Sequence, residues 1–252
     1  GFRFVGLNPC PYAKNVYGPL GGTENLKITR FQHLSFAGRI FFVIRNILNK
    51  CNLLNPFLKR RYRQDFLYLS AHAGIASDLE RYFGVRSIIF PEVCFPKAVA
   101  RKERSQVAAL SQVASERPSI LFVGRADFGK NFKFFSDCVS DPNILANFDV
   151  HIVGIESSDP LIPQQLRSSG NCIIHGQIDR AEVLGLFDQL DIFFLCSLKD
   201  LTSTVLAEAL YFNLLIITPN NIGFTSLFSP ENPPLHIINL DAPRDAEIKK
   251  VK

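Results

Sequence analysis

Five short apolar runs rich in β-branched and aromatic residues recur through the second half of the chain. They are ILFVG (120 to 124), DVHIVG (149 to 154), NCIIHG (171 to 176), DIFFL (191 to 195) and LLIIT (214 to 218), with longer stretches of helical pattern between them. Continuous apolar runs of this length suit strands covered on both faces, and strands alternating with helices imply parallel pairing. The pattern predicts an α/β fold, a doubly wound parallel sheet of at least five strands. Asp179 and Glu182 form a capping-box pattern, which predicts a helix over 180–189.

The first half is less regular. VYGPLGG (16 to 22) reads as a strand running into a Gly-Pro turn, FLYLSA (66 to 71) and SIIFPE (87 to 92) as further strands, and 75 to 83 as a helix stopped by Gly84. At 252 residues, 47% apolar and 20% charged, the chain has globular composition, which argues against disordered and fibrous classes. A polar, charged stretch follows Pro96. We therefore expect a partial N-terminal Rossmann-like domain over 1–96, a linker over 97–117 and a second domain over 118–252.

No two of the six cysteines, at 10, 51, 94, 138, 172 and 196, have C-x-x-C spacing, so they read as buried thiols in a reducing compartment. Without a recognisable signal segment the expected location is cytoplasmic. The net charge of +5 is uneven, because Lys59, Arg60, Arg61 and Arg63 fall within five positions. Just upstream, FAGRIFFVIRNILNK (36 to 50) is apolar, with charges too frequent for a bilayer span. Its first reading is a core helix with a solvated basic end. Its second is a surface helix drawn to anionic lipid, making a membrane face reached through 36–63 a candidate partner.

FVGRADFGKN (122 to 131) lies within one residue of a phosphate-binding P-loop. Asn131 stands where that loop needs a magnesium-binding hydroxyl, Asp127 would set a carboxylate beside phosphate, and DVHIVG lacks the acidic end that holds the metal. A P-loop nucleotidase is thus the weaker reading. What remains is a strand ending at Gly124 that brings Arg125 and Lys130 to the C-terminal edge of a parallel sheet, where open α/β folds bind ligands. A helix expected near 132 to 140 points its free amides at the same place. Two cations and a helix start suit a diphosphate without a metal.

CSLKDLTSTVLAEAL (196 to 210) repeats the arrangement after the strand DIFFL. Thr202 or Ser203 can cap the following helix, Asp200 falls in the loop, and Glu208 falls eight residues later. Carboxylates so placed repel phosphate but accept hydrogen bonds from polyol hydroxyls, so the expected ligand has both parts. A nucleotide sugar does.

ILFVGRADFGKN followed by IIHGQIDRAEVLGLFDQLDIFFLCSLKDLTSTVLAEALYFNLLIITPNNIGF resembles the donor-binding half of the group 1 (family four) glycosyltransferases, retaining enzymes of the GT-B fold with two Rossmann-like domains. The family turn G-R-x-x-x-x-K, its E-x7-E motif and a later strand entering a Gly-containing loop all have counterparts here. The resemblance covers most of 118–228 closely and 16–96 loosely. It implies that Arg125 and Lys130, beside Gly124, bind the donor diphosphate and Glu208 the ribose hydroxyls. Asp200 would hold the transferred sugar where the family usually has Glu, and Thr202, Ser203 and Thr204 would face the phosphates. GPLGGTE (18 to 24) resembles an acceptor-side glycine loop, in which Gly21 and Gly22 let the N-terminal domain approach the donor.

The same resemblance implies transfer from a UDP- or GDP-linked sugar to a glycan or lipid-linked acceptor in cell-envelope polysaccharide or lipopolysaccharide assembly, peripheral to the inner face of the membrane, with no cofactor or metal and no nucleic-acid partner. The family's opening strand and closing helix find no counterpart, so the chain reads as a fragment. A non-catalytic nucleotide-sugar binder is the alternative. The catalytic base has no clear candidate except Glu24; His33 and His72 read as structural, and His175 as a packed strand residue.

Overall fold

In a computed structural model the described residues are 15–62, 65–90, 117–200, 203–219 and 235–251. They form two parallel sheets. The smaller has the order β1 (Val16–Leu20), β2 (Leu67–Ser70), β3 (Ser87–Ile89). The Gly-Pro pair expected to form a turn instead lies inside β1, with a cis peptide between Gly18 and Pro19 and an irregular register between Tyr17 and Leu20. Helix α1 (Phe36–Leu53), the short α2 (Pro56–Lys59) and α3 (Ala73–Asp78) accompany this sheet. A π-helical turn, Leu79–Phe83, continues α3 until Gly84 ends it at φ +71°. Tyr68, Ile75 and Leu79 are fully buried in this core.

The larger sheet contains β4 (Ser119–Val123), β5 (Asp149–Val153), β6 (Cys172–Gly176), β7 (Ile192–Phe194), β8 (Leu215–Pro219) and β9 (Leu235–Ile238). All five expected strands are present within a residue or two. β9 was not anticipated from its sequence. The helices are α4 (Phe132–Val139), α5 (Pro142–Asn147), α6 (Gln164–Ser168), α7 (Arg180–Gln189), α8 (Thr204–Tyr211) and α9 (Arg244–Val251). Helix α7 begins where the capping box placed it: Asp179 accepts from Glu182 N, and Glu182 accepts from Asp179 N.

The spatial order β6-β5-β4-β7-β8-β9 is that of a doubly wound sheet whose direction of winding reverses between β4 and β7. The core shows the reversal directly. Helix α4, after β4, packs Phe132, Phe134 and Phe135 on one face against Phe122 and Phe194, whereas α8, after β7, packs Leu206 and Ala209 on the other against Leu121 and Phe193. Phe122 and Phe135 lie 4.9 Å apart and Phe135 and Phe194 5.4 Å, distances at which aromatic rings attract beyond simple burial.

Two expectations fail here. Helix α1 is not a core helix: Phe36, Ile40, Phe41, Val43, Ile44, Ile47 and Leu48 are all exposed, and only Gly38, Phe42, Asn49 and Leu53 are buried. At 3.6 residues per turn these exposed apolar positions fall on one broad arc of the helix, and the buried positions lie on the opposite side, so the face the fold packs is not the helix's main apolar face. Of the cysteines, Cys138 and Cys196 are buried as expected, Cys172 is half-buried and Cys51 is exposed on α1; Cys10 and Cys94 lie outside the described residues.

Gly154 ties the sheet to the turn after β4. It sits at φ +88°, and a Cβ there would stand 2.7 Å from the carbonyl oxygen of Gly124. Gly154→Ala is therefore expected to destabilise the fold by about 1–3 kcal/mol, through a left-handed backbone plus a displaced Gly124. The midpoint of urea unfolding measures this.

Candidate functional site

The winding reversal opens a crevice between the turns that follow β4 and β7. One turn carries Arg125 to Lys130, the other Leu195 to Asp200. They are stitched together by the main chain, since Leu198 N donates to Gly129 O at 2.8 Å, and by the Cys196 thiol, which donates to the Lys130 carbonyl at 3.2 Å. Lys130 N donates to Asp127 Oδ1 at 2.8 Å, so the Asp127 carboxylate is turned back into its own loop. Asn131 takes a left-handed conformation (φ 54°, ψ 39°) and starts α4 without a side-chain cap. Both polar atoms of its buried side chain lack hydrogen-bond partners, as does Ser197 Oγ.

Several residues singled out from sequence meet in this crevice. Lys130 Nζ pairs with Asp200 Oδ2 at 2.8 Å, while Arg125 is solvent-exposed at the mouth of the turn. Ser203 caps α8 by accepting from Leu206 N at 3.4 Å, and Thr204 is the exposed first residue of that helix. Glu208 is buried in α8, where Arg180 Nη2 from the start of α7 reaches Oε1 at 2.7 Å. Arg180 had no signal in sequence beyond its place after a capping residue. Thr202 and the Gly-containing loop of 220–228 lie outside the described residues.

The facing wall comes from the segment after β1. Gly21 and Gly22 are half-buried, Gly22 at φ +91°, and from there the chain crosses to the larger sheet. Leu26, Leu34 and Phe42 pack into the same core as Phe122 and Phe194. The 3-10 turn Ile28–His33 is clamped to the loop after β9. Asp241 accepts from Arg30 Nε at 2.8 Å and Nη2 at 3.1 Å, from Lys27 Nζ at 3.0 Å and from Thr29 Oγ1 at 2.8 Å. Chiefly the Arg30 hydrogen bonds hold the Asp241 carboxyl far below the usual carboxylate range. His33 adds a bond to Leu240 O at 3.1 Å, and burial lowers its pKa, as suits the structural role expected of it.

Between the walls lies a cleft of about 470 Å³, lined by Glu24, Asp78, Arg30 and Lys199 among others. His72, read as structural from sequence, has two tasks. Its Nδ1 accepts from Gly74 N at 3.2 Å at the start of α3, and its Nε2 faces Glu24 Oε2 at 3.3 Å. Nε2 approaches the Glu24 carboxylate without forming a well-aligned hydrogen bond. Lys199 Nζ donates to the Glu24 carbonyl. Burial, aided by Arg45 and opposed by Glu24 and Asp78, pulls the Lys199 ammonium down to about 8. No sequence pattern marked Lys199, because its partners come from the other sheet. His175 is indeed packed, but against a second histidine: its Nε2 lies 3.1 Å from His151 Nδ1.

Residues 106–241 match the family model of the group 1 glycosyl transferases. The chain belongs to that family. Its fold is shared with a solved structure of WaaG, a glycosyltransferase involved in lipopolysaccharide biosynthesis, at 14% identity and a TM-score of 0.60, covering 95% of this chain and 68% of that one. Sucrose-phosphate synthase from Thermosynechococcus elongatus matches at 17% identity and TM-score 0.56, covering 89% and 55%. The UDP-forming α,α-trehalose-phosphate synthase from Burkholderia xenovorans, solved with glucose-6-phosphate, matches at 13% and 0.58, covering 83% and 56%. The chain thus spans about two thirds of the first and little more than half of the other two. No curated protein sequence matches it. These likenesses bear out the GT-B arrangement of two parallel α/β sheets expected from sequence.

The depressed Lys199 pKa has a sign that can be checked. Between about pH 8 and the ordinary lysine value of 10.5 the unfolded chain holds this proton while the folded chain has lost it, so the group's contribution makes stability rise with pH across that window. The rise is expected to be shallower in Lys199→Gln when unfolding free energy is followed from pH 7.5 to 10.5.

Proposed function

We propose that this glycosyl transferase family member moves a sugar from a nucleotide-diphosphate donor to an acceptor hydroxyl with retention at the anomeric carbon, as family four enzymes do. The observation that carries the reading is the meeting of Lys130 with Asp200 at the winding reversal of the larger sheet, the place where open α/β folds take their ligands. Arg125, Lys130 and the first amides of α4 and α8 would face the diphosphate, with Gly124 allowing close approach. Thr202, Ser203 and Thr204 would add donors. Asp200 would take the sugar hydroxyls and Glu208 the ribose. Negative charge grows on the diphosphate as the glycosidic bond breaks, so these fixed donors stabilise the transition state more than the ground state. That neutralisation needs no metal, and we expect none.

Glu24, beside His72 at the cleft wall, is the acceptor-side carboxylate best placed to receive a hydrogen bond from the attacking hydroxyl. Gly21 and Gly22 would bring that wall to the donor. The domain division at 97–117 belongs to the same proposal.

The decisive measurement is thermal stabilisation by UDP, GDP, ADP and ATP, each with EDTA and with magnesium. UDP or GDP in EDTA is expected to stabilise the protein, and Lys130→Ala is expected to lose about 1.5–3 kcal/mol of that binding, the scale of a charged hydrogen bond. Stabilisation by ATP with magnesium alone would instead support a P-loop nucleotidase.

A lipid-linked acceptor in cell-envelope assembly, met at the cytoplasmic membrane face, fits the exposed α1. No helix among the described residues is long and apolar enough to cross a membrane. Residues 36–63 hold seven Lys and Arg and no Asp or Glu, while Phe36, Phe41, Ile44, Ile47, Leu48 and Phe57 are exposed among them. Apolar side chains ringed by cations favour an anionic bilayer surface, each basic residue adding about 1 kcal/mol. Flotation with phosphatidylglycerol vesicles is expected to carry the protein, to fail with phosphatidylcholine alone, and to weaken on neutralising Lys59, Arg60, Arg61 and Arg63.

A further inference from the structure

The ion pair between Lys130 and Asp200 joins the two side chains that the donor reading assigns to different parts of one ligand. Lys130 would need to be free for the diphosphate, and Asp200 for the sugar. At 2.8 Å each occupies the other. The side chains are 30% and 17% exposed, so an arriving ligand can reach both. The Lys130 carbonyl is held by the Cys196 thiol, and Leu198, two residues before Asp200, is tied to Gly129 O, so side-chain rotation is the simplest adjustment by which the pair can part. Asp127 turns Oδ1 to the Lys130 amide, while the Lys130 ammonium reaches Asp200.

We propose that this ion pair makes the donor site select for the sugar: a diphosphate must displace Asp200 from Lys130, and only a ligand that also brings sugar hydroxyls gives the displaced carboxylate new hydrogen-bond donors. A bare nucleoside diphosphate leaves Asp200 unpaired beside phosphate, where like charges repel. The intact donor does not. The exchange also runs backwards. Once the sugar has left, Asp200 retakes Lys130 and the nucleotide product is weakened, which favours its release. This inference rests on the donor reading above and assigns its selectivity to one residue, Asp200.

The test is isothermal titration of the wild-type chain, Asp200→Asn, Lys130→Ala and the double variant, with UDP, GDP, UDP-glucose, UDP-N-acetylglucosamine and GDP-mannose. Asparagine matches aspartate in shape, and a thermal melt checks that each variant is folded. Asp200→Asn is expected to bind the bare diphosphate about two- to fivefold more tightly, the scale of a partly exposed ion pair. Its preference for the nucleotide sugar over the bare diphosphate should fall about tenfold or more, the scale of one charged hydrogen bond. The tightening should vanish in the Lys130→Ala background. An equal tightening there would reveal plain repulsion of phosphate by Asp200 and overturn the exchange, as would no tightening at all. If the wild type binds none of these nucleotides, or Lys130→Ala binds them like the wild type, the donor reading itself falls and the exchange with it.

Discussion

The constraint on which the rest of the molecule depends is the reversal of winding between β4 and β7. Two adjacent parallel strands send their helices to opposite faces, α4 toward Phe122 and α8 toward Leu121, so the turns leaving them must part. The gap is obligatory once both faces need covering. It is also polar by construction, because helix starts expose amides that no earlier turn can satisfy. Among the described residues, Lys130 and Asp200 owe their meeting to the turns on either side of that divergence.

The facing wall depends on a different interaction. A short segment after β1 leaves the smaller sheet and is held on the larger one by Asp241, which gathers Lys27, Thr29 and Arg30, and by apolar contacts of Leu26, Leu34 and Phe42. Arg30 is buried, and breaking one partner of a buried pair leaves an uncompensated charge, so the clamp is costly to open. Glu24 is carried by this clamped segment while His72 comes from the start of α3 on the smaller sheet. The cleft therefore joins chemistry from two sheets at a fixed separation.

Most of the larger sheet was legible in sequence. Strands buried on both faces write themselves as unbroken apolar runs, and the capping box of α7 marks its own start. β9 was missed because the segment before it offers no helical pattern to separate two strands. Helix α1 was legible as a helix, but its sequence left a core and a surface placement both open, since an apolar sequence reports what a segment would prefer and not whether the fold supplies a partner. The Gly-Pro pair reads as a turn by local propensity, and pairing with β2 overrides it.

By itself the sequence determined the alternation of strands and helices, the strand-to-helix turn carrying Arg125 and Lys130 and the residue types set out along it, because those rest on spacing within one or two turns of chain. Only the tertiary structure decided who meets whom: Lys130 with Asp200, Arg180 with Glu208, His72 with Glu24, Lys199 with the Glu24 main chain. Such pairs form between elements far apart in the chain, Lys130 and Asp200 being 70 residues apart. Charge and hydrogen bonding act through space, and the distances they act over are set by strand order and core packing, which no local pattern encodes.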